Sequence, residues 1–543
     1  MLGLFDRPAD EKAFEALLKA PAIPDLTESL TDLSPTAWRT VLARLRRAKL
    51  LAGEDPHNPG QLDTHPLVRE HFGEQLLRQR TEAWKECNKR LYNYHRTLAP
   101  QLPESFRDME PLFLAVICGC NAGLYREALH EVYIPRIQRG DASFAANILG
   151  ARGALLSILV HFFERGRWGS PAETAVAGQS LTAEDQLFIL MQASMHLAAT
   201  RGLAASEARI CYDRAESLCH SLNRPLLLYV ALMGQWRHST ITDRLSVALQ
   251  IAKRICTLAQ QQNEPALMIG ACAALAITHY FLGDFETSGR YVKHGLDIWR
   301  SGGAQPAPEE VDVPADACLC YDAVLKWHSG ETASSRATIE EAISLAKELN
   351  DMHGLAIARY YAAILAQMAH KPAEVERLAS EVIELSTRQN FAHWLALGVI
   401  LRGWARSVSG DTAEGIRLIE QGIRDLRATG AVLGVPHNLA RKAQALHLAD
   451  RTSEALETID EAEALAERSE QRDCGAELHR LRGVFLTALG GDETQIETSF
   501  REAIRIAKQQ KSIPLEKRAK ATYAAYRRQK ASASGGRRFR LPL

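Results

Sequence analysis

Between Glu264 and Gln510 helix-length stretches, with apolar residues at helical spacing, alternate with short polar breaks, and the alternation repeats. One set of breaks is Gly283-Asp284, Gly330-Glu331, Lys371-Pro372, Gly410-Asp411, Asp450-Arg451 and Gly491-Asp492, the later ones close to 40 residues apart. A second set keeps the same rhythm through Asn223, Asn263, Gly303, Asn350, Asn390, Gly430, Glu470 and Lys511; only the step from Gly303 to Asn350 is longer, at 47. Gly after a helix and Asp or Thr before the next are stop and start signals, so His393–Ser409 and Thr412–Ala428 are predicted to form one helical hairpin. Hairpins repeating at a fixed period predict an all-α solenoid.

Small residues recur in register. Ala276, Ala323, Ala363, Gly403, Ala443 and Gly483 share one column of the first helix. Twelve residues on come Ser288, Ser335, Val375, Gly415 and Ala455, and seven further on Gly295, Ala342, Val382, Gly422 and Ala462. Small side chains let two helices approach closely, while Val292, Ile339, Ile419 and Ile459 fill the space above them. This spacing resembles the tetratricopeptide repeat, in its long-helix, maltose-regulator-like form found in bacterial signalling proteins. The resemblance implies a right-handed superhelix whose inner surface binds protein or peptide partners. The unit departs from that family in being nearer 40 than 34 residues long and in lacking the usual closing proline.

Residues 1–80 are patterned differently. Helices from Pro8 to Lys19 and from Thr36 to Lys49 precede two short apolar pieces, Leu50–Ala52 and Gln61–Asp63, separated by a turn-rich stretch, a pattern that predicts a small winged-helix-like domain. Arg44, Arg46 and Arg47 on the second helix could form a DNA-reading surface, but the preferred reading is the solvated face of a helix whose other face buries Trp38, Val41, Leu42 and Leu45. The stretch Leu62 to Phe72 resembles the segment closing the winged-helix domain of STAND-class signal-transducing NTPases, where that domain packs on the nucleotide-binding module. No Gly in the chain is followed by Lys, so the phosphate-cradling G-x-x-x-x-G-K-[ST] loop is absent from the sequence. The resemblance therefore implies the downstream part of such a protein, truncated, split or acting alone, with a separate NTPase module as a possible partner. Residues 81–180 are expected to be an irregular helical connector. Residues 181–530 should hold about eight hairpins and a capping helix, with a Pro- and Gly-rich loop or hinge at 301–314; 531–543 should be a disordered basic tail.

Composition narrows the function. Lys plus Arg and Asp plus Glu both number 65, so no global field draws the chain to nucleic acid or an anionic membrane. Ten cysteines are scattered without a framework and read as buried thiols of a reducing cytosol. Cys118/Cys120 and Cys318/Cys320 lack the second ligand pair of a zinc site, and no metal or other cofactor is expected. No signal pattern or membrane-length apolar run is present, and a cytoplasmic protein is expected. There is neither a G-x-S-x-G elbow nor an H-E-x-x-H motif, so binding is expected in place of catalysis. Arg402, Lys442 and Arg482, spaced by 40 and extended by Arg406, form a basic column able to grip an acidic partner, with Tyr360 and Trp404 among nearby aromatic anchors. The same cations could instead pair with Glu residues of adjacent second helices and bind repeat to repeat. The chain thus reads as a sensor arm or interaction scaffold of a STAND-type system; the alternative is a DNA-binding regulator whose repeats sense an effector.

Overall fold

The computed structural model describes residues 1–543 except 6–7, 25, 32, 56, 59, 141–142, 165–166, 243, 303–313, 533–540 and 542–543, together with the side chains of 147 and 532. The predicted loop at 301–314 and tail at 531–543 fall almost wholly outside the described residues. The chain forms two compact units, Met1–His196 and Leu197–Leu543. Among the described residues there is no strand beyond isolated bridges, and no helix is long and apolar enough to cross a membrane.

In the first unit, helix Pro35–Arg47 carries Trp38, Val41, Leu42 and Leu45 half-buried, with the Trp38 ring 5.5 Å from that of Phe14. The pieces after it run side by side: Ala52 N donates to Asp63 O at 2.9 Å, and Leu62 exchanges backbone bonds with Ala9. Two arginines tie off the helices. Buried Arg136 donates to the carbonyls of Arg96, in the last turn of helix Thr81–Leu98, and of Ala99, Pro100 and Gln101 after it, and half-buried Arg90 donates to Leu17 O at the end of Glu11–Leu18. A cation at a helix C-terminus satisfies orphan carbonyls and opposes the helix dipole. Arg136 also accounts for a departure from the sequence pattern. Pro135 reads as a break, yet a π-helical segment, Ala128–Gln138, runs through it, held by the arginine one residue on.

The second unit is the solenoid. After helix Ser206–Leu222 come seven hairpins: Pro225–Thr242 with Leu245–Gln262, Pro265–Phe281 with Phe285–Arg300, Pro314–His328 with Thr332–Glu348, Met352–Met368 with Pro372–Gln389, Ala392–Val408 with Thr412–Ala428, Val435–Leu448 with Thr452–Ser469, and Gly475–Leu489 with Glu493–Gln509. Helix Ile513–Ser532 follows. The breakpoints of the sequence are left-handed residues: φ is +54° at Asn223, +53° at Asn263 and Asn350, +57° at Asn390, +62° at Glu470 and +57° at Lys511. Asn tolerates this helix-ending conformation better than most residues with a side chain, so four of the six are Asn.

The small-residue columns meet each other. Ser288 Oγ donates to Ala276 O at 2.8 Å and Ser335 Oγ to Ala323 O at 2.7 Å, so a hydroxyl of the second helix bonds the first helix at its small position. Between Ala392–Val408 and Thr412–Ala428 the approach is closer still: a Cβ on Gly403 would lie 2.7 Å from Gly415 O.

Candidate functional site

The solenoid turns back on itself. Val432 N and Leu433 N donate to Ile241 O at 2.8 and 3.1 Å, and Arg472 N and Asp473 N donate to Phe281 O at 2.8 and 3.3 Å. The offset from Ile241 to Val432 and from Phe281 to Arg472 is the same, 191 residues, just under five 40-residue hairpins. Side chains follow the backbone. Glu470 accepts from Ser246 N at 2.7 Å and pairs with Arg244 at 2.9 Å, His328 Nδ1 meets Ser512 Oγ at 2.8 Å, and Lys511 pairs with Glu286 at 2.6 Å. The ends of helices Pro225–Thr242, Pro265–Phe281 and Pro314–His328 are thereby tied to loops between hairpins one superhelical turn later.

Inside that turn lies a chamber of about 300 Å³, the lower end of the range for ligand pockets. Its wall is built from first helices, the last helix and loops; among the described residues no second helix contributes to the lining. Most of the wall is aromatic or aliphatic, including Trp236, Tyr280, Phe281, Tyr321, Trp327, Tyr360, Tyr361, Trp394 and Trp404. The polar ends of these rings are satisfied across neighbouring first helices. Trp236 Nε1 donates to Thr278 Oγ1 at 3.0 Å, Tyr361 OH to Tyr321 OH at 2.5 Å, Trp394 Nε1 to His353 Nε2 at 2.9 Å and Trp404 Nε1 to Gln444 Oε1 at 2.8 Å. Each bond holds a large ring in one orientation, so the wall is preorganised.

Ionisable groups punctuate the wall. His328 is buried and its pKa is pushed down to about 3, chiefly by desolvation, so it is neutral near pH 7. Glu477 binds Arg480 through two bonds of 2.7 and 2.9 Å. Burial alone would raise its pKa, but Arg480 and Arg518 outweigh that and hold it at about 2. His437 Nε2 and Asp473 Oδ2 are 2.7 Å apart, and with Cys474 they place three metal-capable donor atoms within 4.8 Å of one another. That trio is poorly set for a metal: the first two donors already engage each other, and burial raises the Cys474 thiol well above its ordinary pKa. Arg441 is 6% exposed, and burial lowers its pKa from the ordinary guanidinium value.

The residues predicted as partner-binding divide between two places. Tyr360 and Trp404 line the chamber. Arg406 pairs with Glu376 at 2.8 Å and Arg402 stands 3.9 Å from the same carboxylate; Lys442 pairs with Glu420 at 3.0 Å; Arg482 bonds Glu463 at 2.6 Å and also Asp460. Each of these acids belongs to the second helix of the preceding hairpin. Among the DNA-reading candidates of the first unit, Arg46 pairs with Glu54 at 3.2 Å, while Arg44 and Arg47 are exposed at the end of their helix. Sequence reasoning missed Arg441, His437 and Asp473. A signal for the first was present: positions 321, 361, 401, 441 and 481 read Tyr, Tyr, Leu, Arg, Leu, a lone cation in an otherwise apolar or aromatic column.

No protein-family model matches the chain. It is 24% identical over 351 residues to an uncharacterized protein of Rhizobium meliloti (strain 1021), covering 63% of this chain and 33% of that protein, so the chain spans about a third of its curated relative's length. Solved structures of similar trace include a Rap protein complexed with competence and sporulation factor (11% identity, 65% of this chain and 99% of that one, TM-score 0.42). A STAND protein with a tetratricopeptide repeat sensor from Pyrococcus horikoshii is also similar (12%, 89% and 64%, TM-score 0.36), as is the human IFIT1 dimer with m7Gppp-AAAA (13%, 83% and 87%, TM-score 0.39). The chain is thus similar to helical-repeat proteins, at scores too low to carry over any site or ligand.

Proposed function

We propose that the solenoid is a non-catalytic sensor that takes a small molecule into the chamber inside its superhelical turn. One observation carries this reading: the aromatic surface of the first helices faces a preorganised interior of about 300 Å³. Ring edges tied by hydrogen bonds lose little freedom on binding, which favours affinity. In the setting implied by the STAND resemblance, occupancy of the chamber would be read out by a separate NTPase module, and the winged-helix-like segment would be the contact to it.

The test is a thermal-shift screen of a small-molecule library on the full chain, repeated on Ala440→Trp. Ala440 lines the chamber and is 6% exposed, so an indole there fills it. A chamber ligand at 100 times its Kd should add about 2.7 kcal/mol of stability and raise Tm, and Ala440→Trp should abolish that rise. Hits that stabilise both proteins alike would place binding elsewhere and sink the reading.

A further inference from the structure

Arg441 lies in the chamber wall with 6% of its surface exposed, and among the described residues it forms no ion pair. Its hydrogen-bond partners are neutral: Nε and Nη2 donate to Gln367 Oε1 at 3.0 and 2.8 Å, Nη1 donates to Asn438 Oδ1 at 2.6 Å, and the Tyr360 hydroxyl also bonds it. A guanidinium has five N–H groups and stays charged inside a protein. The amides take three and leave one on each terminal nitrogen, where the Tyr360 hydroxyl is the further, neutral partner; a carboxylate that displaces it can meet arginine through two parallel bonds.

The wall's own acids are engaged. Glu477 carries Arg480, and Asp473 is bonded by His437 and by Gln471 Nε2 at 3.0 Å. Burial lowers the Arg441 pKa, outweighing Tyr360 and the carboxylate of Asp473, which favour the charged guanidinium; the desolvation cost that remains is one an incoming anion would offset. The rest of the wall suits a flat ring. Tyr280, Tyr360, Tyr361 and Trp404 line the same chamber, and its volume of about 300 Å³ matches a small ring system better than a peptide chain.

We propose that the chamber binds a small aromatic carboxylate, its anionic end on Arg441 and its ring against the tyrosines and Trp404. This rests on the reading of the chamber as a ligand site. The test is isothermal titration calorimetry on the full chain with 2-naphthoate and its neutral isostere 2-naphthamide. Naphthoate should bind at least about tenfold tighter, the discrimination expected of a charge-assisted pair. In Arg441→Gln the ratio should fall towards one while the amide's affinity changes little; Arg441→Lys should restore part of the preference. Equal affinities on the unsubstituted chain, or a preference that survives in Arg441→Gln, overturn the anion assignment and leave the chamber standing. No binding of either compound, or undiminished binding of both to Ala440→Trp, overturns both. The two-compound comparison on the unsubstituted chain decides the question even if Arg441→Gln does not fold.

Discussion

His328 shows how one side chain can serve both the chamber and the closure of the turn. Its ring lies 4.2 Å from that of Phe285, tilted by 31°, its Nδ1 meets Ser512, and it sits at the end of a first helix. Burial holds its folded pKa near 3, below the roughly 6.5 of an unfolded chain. The unfolded state therefore binds the extra proton between these values. The stability His328 contributes is fully present above pH 6.5 and is lost as pH falls through that window, at a limiting rate of about 1.4 kcal/mol per pH unit. Urea unfolding of the native chain between pH 7 and 5 should show this contribution together with those of His196 and His393, whose pKa values burial also lowers, to about 3 and about 4, and His328→Gln, which cannot titrate, should make the slope shallower. An unchanged slope in the variant would mean that other groups set the acid sensitivity. The basic column illustrates the opposite kind of residue. Arg402, Arg406, Lys442 and Arg482 recur at the repeat period as a recognition stripe would, yet each stands beside an acid of the preceding hairpin. Periodicity marks equivalent positions; only the partner across the helix interface separates a stripe that meets a ligand from one that joins repeats.

At the scale of the helix, packing distance decides the sign of a substitution. Gly289, in Phe285–Arg300, has open space where a Cβ would stand, and Gly289→Ala should stabilise by about 0.5–1 kcal/mol through helix propensity alone. Gly415 also lies in the first turns of a second helix, at the register of Ser288, but in a different setting. A Cβ there would come within 2.6 Å of Gly403 O and 2.8 Å of Ser407 N, both backbone atoms. Gly415→Ala should therefore destabilise by a net of about 1–2 kcal/mol, overpacking outweighing propensity. Urea midpoints for the two variants, moving in opposite directions, check this. These helices were the most legible part of the chain. Asn390 and Gly430 ended them in the sequence as they do in the structure, because a residue that tolerates positive φ is a local signal. Pro135 was misread because the force holding its segment is not local: Arg136 binds carbonyls some forty residues earlier in the chain. The chamber was less legible for the same reason. Tyr360 and Trp404 were visible as aromatics near one face, but Arg441 meets Gln367 across 74 residues, a pairing no repeat period encodes.

At the scale of the solenoid, the bonds from one superhelical turn to the next hold the chamber shut. Glu470 is central, being left-handed in backbone and bonded to Ser246 and Arg244. Glu470→Asn keeps a residue at ease with positive φ but replaces the carboxylate with a shorter, neutral amide that cannot pair with Arg244. Hydrogen–deuterium exchange should then speed up at the amides of Val432, Leu433, Arg472 and Asp473, while the hairpin cores exchange as before. Uniform exchange changes, or none, would mean that the clasp does not depend on this side chain. The constant 191-residue offset also makes the second unit count its own repeats. Ordinary solenoids gain or lose a unit with little consequence, since each hairpin touches only its neighbours. Here a duplicated or deleted hairpin between Ile241 and Val432 would leave every local contact satisfied and yet bring the wrong loop opposite each helix end, so repeat number, elsewhere a freely drifting quantity, becomes a dimension of the binding site.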